Sequence, residues 1–178
     1  MLETKPTGYV FGATELINPG FETELCIRLG RGLEGKVSME EVQAAVDVIH
    51  PSFEIIETRG DLVGQIALAL ADNAQQRSVV IGAPVRLSLE MALDQVEARV
   101  RLNGREVATG PGSAVLGNPL NSISWLADKL GEYGRRLHAG DVIMTGSFVR
   151  QFPLRSGDVA IADFSSIGGV EVKIARLE

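Results

Sequence analysis

The stretch QVEARVRLNGREVATG, residues 95–110, leaves the chain least freedom in how it folds. Val96, Ala98, Val100 and Leu102 alternate with Glu97, Arg99 and Arg101, the period of two that marks a strand with one buried face. Asn103-Gly104 then supplies two successive positive φ angles, so a type I′ turn returns the chain as a second, antiparallel strand. The protein must therefore build at least part of its body from β-sheet.

The rest of the sequence extends that pattern. GYVFGA (8–13), FETELCIRLG (21–30), SFEIIET (52–58) and SVVIGAP (78–84) read as strands. Ala-Gly-Asp at 139–141 and Ser-Gly-Asp at 156–158 are turns that open the strands DVIMTGS and DVAIADF, and VEVKIARL follows Gly168-Gly169. Ser38 and Glu41 form a capping box. The helix after it is expected over 38–50, burying Val42, Ala45, Val46 and Ile49 and stopped by Pro51. A second helix is expected over 118–132, with Asn118 as N-cap, Pro119 at its first position and an apolar face of Leu120, Ile123, Leu126, Ala127 and Leu130. The segment 61–73 suits either a helix or a covering loop. No linker, repeat or low-complexity tract divides the chain. The pattern predicts one strand-rich domain over residues 1–178 with two or three helices.

Composition limits the function. Hydrophobic residues make up 45% of 178, enough for a packed core. A formal net charge of −6 does not provide the basic stripe of a nucleic-acid surface. The lone Cys26 cannot form an internal disulfide and suits a small buried hydrophobe. There is no Cys/His cluster with zinc spacing, no apolar run of the roughly 18 residues a membrane helix requires, and no basic-then-apolar leader. The expectation is a cytoplasmic protein with no membrane and no nucleic-acid partner. Gly-rich phosphate loops and nucleophile elbows are also absent from the sequence.

The chemistry centres on carboxylates. Glu22 and Glu24 lie two apart in FETELCIRLG, on one face with Cys26 and Arg28, while Thr23, Leu25, Ile27 and Leu29 take the other. Two such side chains, about 6–7 Å apart at the backbone, can converge on one hard cation. They can equally be the solvated face of an edge strand. Glu54 sits between Phe53 and Ile55-Ile56, where a buried carboxylate would need a partner, and is the candidate third ligand. His50 and His138 stand alone. Asp72-Asn73 suits a turn or cap, and Thr145-Gly-Ser147 suits a loop end lining a pocket.

Taken in order, these motifs resemble the fumarylacetoacetate hydrolase superfamily. They are Glu-Thr-Glu (22–24), HPSFEIIETR (50–59), ADNA (71–74), VVIGAP (79–84), GNPLNSISWLADKL (117–130), AGDVIMTGS (139–147) and the closing Asp-Phe…Ile-Gly-Gly-Val (163–170). The context of Glu54 is similar to the branch of 2-oxopent-4-enoate hydratases and 4-oxalocrotonate decarboxylases. The resemblance covers the chain from about residue 8 onward. It implies an α+β fold in which a mixed, strongly curved β-roll or barrel-like sheet carries a few peripheral helices. It also implies that Glu22, Glu24 and Glu54 bind a divalent cation, Mg²⁺ or Mn²⁺, with Ca²⁺ also compatible.

The activity implied is that of a metal-dependent lyase of aromatic-compound catabolism. It would act as a hydratase on a 2-oxo or 2-hydroxy-dienoic acid through a metal-stabilised enolate, or as a 4-oxalocrotonate-type decarboxylase. Arg59, Asn73, Gln75, Thr145 and Ser147 are the expected substrate-binding residues, although Arg59 suits a structural ion pair equally well. Two departures imply either a fragment of a longer enzyme or a divergent member, and they favour a non-catalytic homologue or partner subunit as the rival reading. The family's lysine in a Lys-x-Gly stretch has no counterpart here, and Gln75 stands where the family has Ser after Asp-Asn-Ala. A homo-oligomer is expected, alone or with a paralogous subunit.

Overall fold

The structure, a computed structural model, describes residues 3–62, 64–88 and 90–177. Its elements in chain order are β1 (Thr4–Pro6), β2 (Tyr9–Phe11), β3 (Pro19–Leu29), α1 (Met39–Ala45), β4 (Val46–Glu57), α2 (Ile66–Ala71), β5 (Gln76–Ile81), β6 (Glu97–Leu102), β7 (Arg105–Pro111), α3 (Leu120–Gly131), β8 (Val142–Met144), β9 (Phe152–Pro153), β10 (Val159–Phe164) and β11 (Gly168–Ile174).

The strands divide between two mixed sheets. The first runs β1-β5-β4-β3-β8, with β9 also pairing with β3, and the second runs β2-β11-β10-β6-β7. The β1–β5 and β2–β11 pairs are parallel, and the remaining pairs are antiparallel. The α+β class with mixed sheets and few helices is therefore as expected. The β6–β7 hairpin is also as predicted, with Asn103 at φ 54° and Gly104 at φ 78°.

The apolar faces of the strands in both sheets build the core. Phe21, Leu25 and Ile27 of β3 join Phe53 and Ile55 of β4 and Val80 of β5 in one buried cluster. Ala98 and Val100 of β6, Ala160 and Ala162 of β10 and Val172 of β11 complete it from the second sheet. Phe21 and Phe53 meet edge to face with ring centroids 4.9 Å apart, a favourable aromatic geometry. Among the described residues, no helix is long and apolar enough to cross a membrane.

One expected boundary is wrong. The capping box is present, with Ser38 Oγ accepting from Glu41 N and Glu41 accepting from Ser38 N, but α1 ends at Ala45 and not at Pro51. Val46 is already extended (φ −69°, ψ 126°), and Val46-Asp-Val-Ile49 opens the long strand β4. Three β-branched residues within four positions favour the pleated sheet over the helix. The strand passes through Pro51, whose carbonyl accepts from Gly82 N. Within 61–73 the chain makes a short helix, α2, that buries none of its residues. The helix α3 follows the prediction, with Asn118 Oδ1 accepting from Leu120 N and with Leu120, Ile123 and Ala127 buried.

Phe53→Ala is expected to cost about 3–5 kcal/mol, because it empties a fully buried site. Ile66→Ala, on the exposed α2, should change the stability of the monomer by no more than about 0.5 kcal/mol. Urea denaturation of the two variants measures both.

Candidate metal centre

Strand register brings the three glutamates together. Glu22 of β3 lies directly opposite Glu54 of β4, and Glu24 lies opposite Ser52. The three side chains share the face of the first sheet opposite to Phe21, Leu25 and Ile27. One carboxylate oxygen from each lies within 4.8 Å of the others. Glu24 is 2% exposed, and Glu22 and Glu54 are half-buried. Among the described residues, none of the three forms an ion pair with Lys, Arg or His.

The electrostatics follow from that geometry. Burial pushes the Glu24 carboxyl up to about 8, with the nearby Glu54 adding to the rise and a hydrogen bond from Gly146 N opposing it. Burial also raises Glu54, while its bond from Gln76 lowers it and the charge of Glu22 raises it further. Like charges gathered away from water without a compensating cation are costly. A hard divalent cation takes oxygen donors at about 2–2.6 Å, and three converging carboxylates suit it. The donor set therefore fits Mg²⁺, Mn²⁺ or Ca²⁺ and offers no soft ligand apart from Cys26. Burial, with the Glu24 charge second, pushes the Cys26 thiol up to about 12, so it stays protonated and inert.

Two residues that the sequence did not single out hold the carboxylates in place. Gly146 N donates to Glu24 Oε2 at 2.8 Å. Gln76 Nε2 donates to Glu54 Oε1 at 2.7 Å, and Asn73 Nδ2 donates to Gln76 Oε1 at 3.3 Å. A register shift where β5 meets Ile55 and Ile56 makes this contact possible. Gln76 pairs with Ile56 while Ser78 pairs with Ile55, which leaves Arg77 as the extra residue of a bulge. Nothing in the local sequence marks that shift.

The expected substrate-binding residues are not gathered into one group. Asn73 lies beside the centre and lines a cavity of about 490 Å³ with Gln76, Arg77, Leu126 and Met144. Gln75 lines a different cavity, of about 720 Å³, with Ile17, Asn18, Thr58 and Arg59, and its Nε2 is buried without a hydrogen-bond partner among the described residues. Arg59 is held by Glu57 at 2.8 Å and by Asp72 at 3.0 Å, the structural ion pair that was its alternative reading. Thr145 Oγ1 donates to the Leu25 carbonyl, and Ser147 Oγ accepts from Thr23 N. Both hydroxyls tie the segment after β8 to β3.

The family model described as Fumarylacetoacetate (FAA) hydrolase C-terminal matches residues 11–175. The chain is 38% identical over 152 residues to a 2-hydroxyhexa-2,4-dienoate hydratase of Comamonas testosteroni, covering 82% of this chain and 56% of that protein. It is 31% identical over 165 residues to a 2-oxo-hept-4-ene-1,7-dioate hydratase of Escherichia coli, covering 88% and 62%. Two solved structures of 4-oxalocrotonate decarboxylase from Pseudomonas putida G7, one with calcium and acetate and one with magnesium and adipate, each superpose with a TM-score of 0.89 at 31% identity. Each alignment covers 96% of this chain, with 65% of the calcium-bound chain and 66% of the magnesium-bound chain. The chain thus spans about three fifths of the length of the curated relatives it matches.

The pH dependence of the metal-free protein tests the centre. A carboxyl whose pKa is higher folded than unfolded binds protons preferentially in the folded state. Its ionisation therefore erodes stability as pH rises from the ordinary carboxylate range to about 8. In EDTA the protein should melt at a lower temperature at pH 8 than at pH 5.5, and Glu24→Gln should flatten that slope. Thermal melts at the two pH values measure both effects.

Proposed function

This chain belongs to the fumarylacetoacetate hydrolase family, and from that premise we propose that it is a metal-dependent lyase acting on a 2-oxo or 2-hydroxy-dienoic acid. The observation that carries the reading is the convergence of Glu22, Glu24 and Glu54 within 4.8 Å, in a chain related to hydratases of such acids. The cation is Mg²⁺ or Mn²⁺, with Ca²⁺ as the third hard ion that an all-oxygen donor set accepts. The substrate is a small dienoic acid of aromatic-compound catabolism, and the compartment is the cytoplasm.

The roles of the chain's own groups follow from their contacts. Glu22, Glu24 and Glu54 would hold the cation. Bound there, it would supply Lewis acidity at the substrate's 2-oxygen, where charge develops as the enolate forms. Gly146 N and the Gln76 amide orient two of the three carboxylates. Thr145 and Ser147 keep the Gly146 amide in position by fixing their segment to β3. The 490 Å³ cavity walled by Asn73 and Gln76 is the space offered to the organic part of the substrate. Arg59 and Gln75 border the neighbouring cavity and reach the substrate only if it extends that far.

Hydration is the first reading. Decarboxylation is the second, favoured by the likeness to 4-oxalocrotonate decarboxylase. A non-catalytic homologue is favoured by one observation: Thr145, Ser147 and Arg59 are all committed to protein partners and leave few groups to move a proton. The exposed Ile66 and Leu70 of α2 support assembly into a homo-oligomer or with a paralogous subunit.

Calorimetry of oxalate, a mimic of the 2-oxo acid headgroup, separates these readings. Oxalate should bind only with Mg²⁺ or Mn²⁺ present, and Glu22→Ala or Glu54→Ala should abolish binding. Dienoate absorbance should then decay without CO₂ release for a hydratase and with it for a decarboxylase. Metal-dependent oxalate binding with no decay would select the non-catalytic homologue. No metal-dependent oxalate binding would overturn the proposal.

A further inference from the structure

Glu24 and Glu54 are anchored in the same manner. Each has one carboxylate oxygen bonded to an N–H donor from outside the cluster, Gly146 N for Glu24 Oε2 and Gln76 Nε2 for Glu54 Oε1. Each therefore keeps its other oxygen for a ligand. Gly146 donates from the backbone and cannot be varied by its side chain. Gln76 donates from a side chain, and its amide is oriented in turn: Asn73 Nδ2 donates to Gln76 Oε1, so Nε2 is the atom that faces Glu54.

The local backbone is built to deliver this amide. Asn73, Ala74 and Gln75 all hold positive φ angles, 52°, 50° and 66°, in a region that residues other than glycine seldom occupy. The left-handed run leads directly into the bulge at Arg77, which sets Gln76 on the same face as Glu54.

We propose that Gln76 is a positioning residue that confines Glu54 to one-oxygen ligation and thereby biases the centre toward small, six-coordinate cations. The inference rests on the reading that the three glutamates hold a divalent cation. Mg²⁺ demands near-octahedral geometry at about 2.0–2.1 Å and suits carboxylates that offer one oxygen each. Ca²⁺ takes 6–8 oxygens at about 2.3–2.6 Å and readily uses both oxygens of one carboxylate. An amide pulling on Oε1 hinders the rotation that would turn both oxygens of Glu54 inward. With Gly146 doing the same for Glu24, two of the three ligands are held to single-oxygen donation. Mn²⁺, nearly as small as Mg²⁺, falls on the favoured side.

The test measures Mg²⁺, Mn²⁺ and Ca²⁺ affinities separately, by calorimetry or dye competition, for the wild-type chain, Gln76→Leu and Asn73→Ala. Melting temperatures in EDTA establish that the variants are folded. Losing an outer partner of a metal ligand typically costs about 10–100-fold in affinity. Gln76→Leu should lose Mg²⁺ and Mn²⁺ affinity by about tenfold or more, whereas Ca²⁺ affinity falls much less or rises. The Ca²⁺/Mg²⁺ affinity ratio then moves toward Ca²⁺, a shift that a general loss of packing would not produce. Asn73→Ala should move the ratio the same way by a smaller factor. Because Asn73 is exposed, that variant carries the test if Gln76→Leu does not fold. Equal losses for all three ions, or an unmoved ratio, would overturn the role of Gln76. No cation binding by the wild-type chain would overturn the centre itself, and the inference with it.

Discussion

Glu22 and Glu54 face each other across two hydrogen-bonded strands, and Glu24 leans in beside them. Like charges directly opposite in an antiparallel pair are destabilising, and two unit charges 4 Å apart interact with about 4 kcal/mol even at an effective dielectric of 20. The pairing must therefore be enforced by something other than the carboxylates. The opposite face of the same strands supplies the force. Phe21, Leu25, Ile27, Phe53 and Ile55 are all fully buried there. A slip of one residue between β3 and β4 would turn that apolar set away from the core. Packing on one side of the sheet thus fixes a repulsive constellation on the other, and a cation is the natural counterweight.

The surroundings sharpen the effect. Cys26 and Ser52 border Glu24 with side chains that are themselves buried, and Ser52 Oγ donates to the Glu24 carbonyl rather than to its carboxylate. Low exposure strengthens whatever electrostatic interaction the cluster makes, whether repulsion within it or attraction to a bound ion. Thr145 and Ser147, which the sequence presented as pocket groups, act as fasteners: they hold the loop whose backbone amide meets Glu24.

Features carried by a strict local pattern were legible in the sequence. The Asn103-Gly104 hairpin, the Ser38–Glu41 box, the Asn118 cap and the same-face spacing of Glu22 and Glu24 depend on neighbours within a few residues. So does the exposed or buried parity of β6. What was not legible depends on register between distant segments. The bulge that leaves Arg77 unpaired and sets Gln76 beside Glu54 arises from how β5 meets β4. The contact of Gly146 with Glu24 joins residues 122 positions apart. The end of α1 was misplaced because Val46 and Ile49 satisfy both a helical stripe and a strand, and only pairing of β4 with β3 decides between them. Proline, read as a terminator at 51, proved compatible with the interior of a strand.

The two parallel pairs give the chain a particular order of assembly. Strand β1 joins β5 across more than 70 positions, and β2 joins β11 across more than 160. The β3–β4 and β6–β7 pairs close far shorter loops, and β10–β11 is closed by a turn of three residues. Short loops close at lower entropic cost, so these antiparallel units form early and the N-terminal strands dock last. During synthesis Tyr9–Phe11 is made well before its partner strand, and the β2–β11 pair waits until Val172–Ile174 has been made. Until then β11's future neighbour is an exposed apolar strand, and Phe11, fully buried in the finished protein, is in water. The second sheet is thus completed only when Val172–Ile174 has left the exit tunnel, and loss of that segment strips away the partner of Tyr9–Phe11.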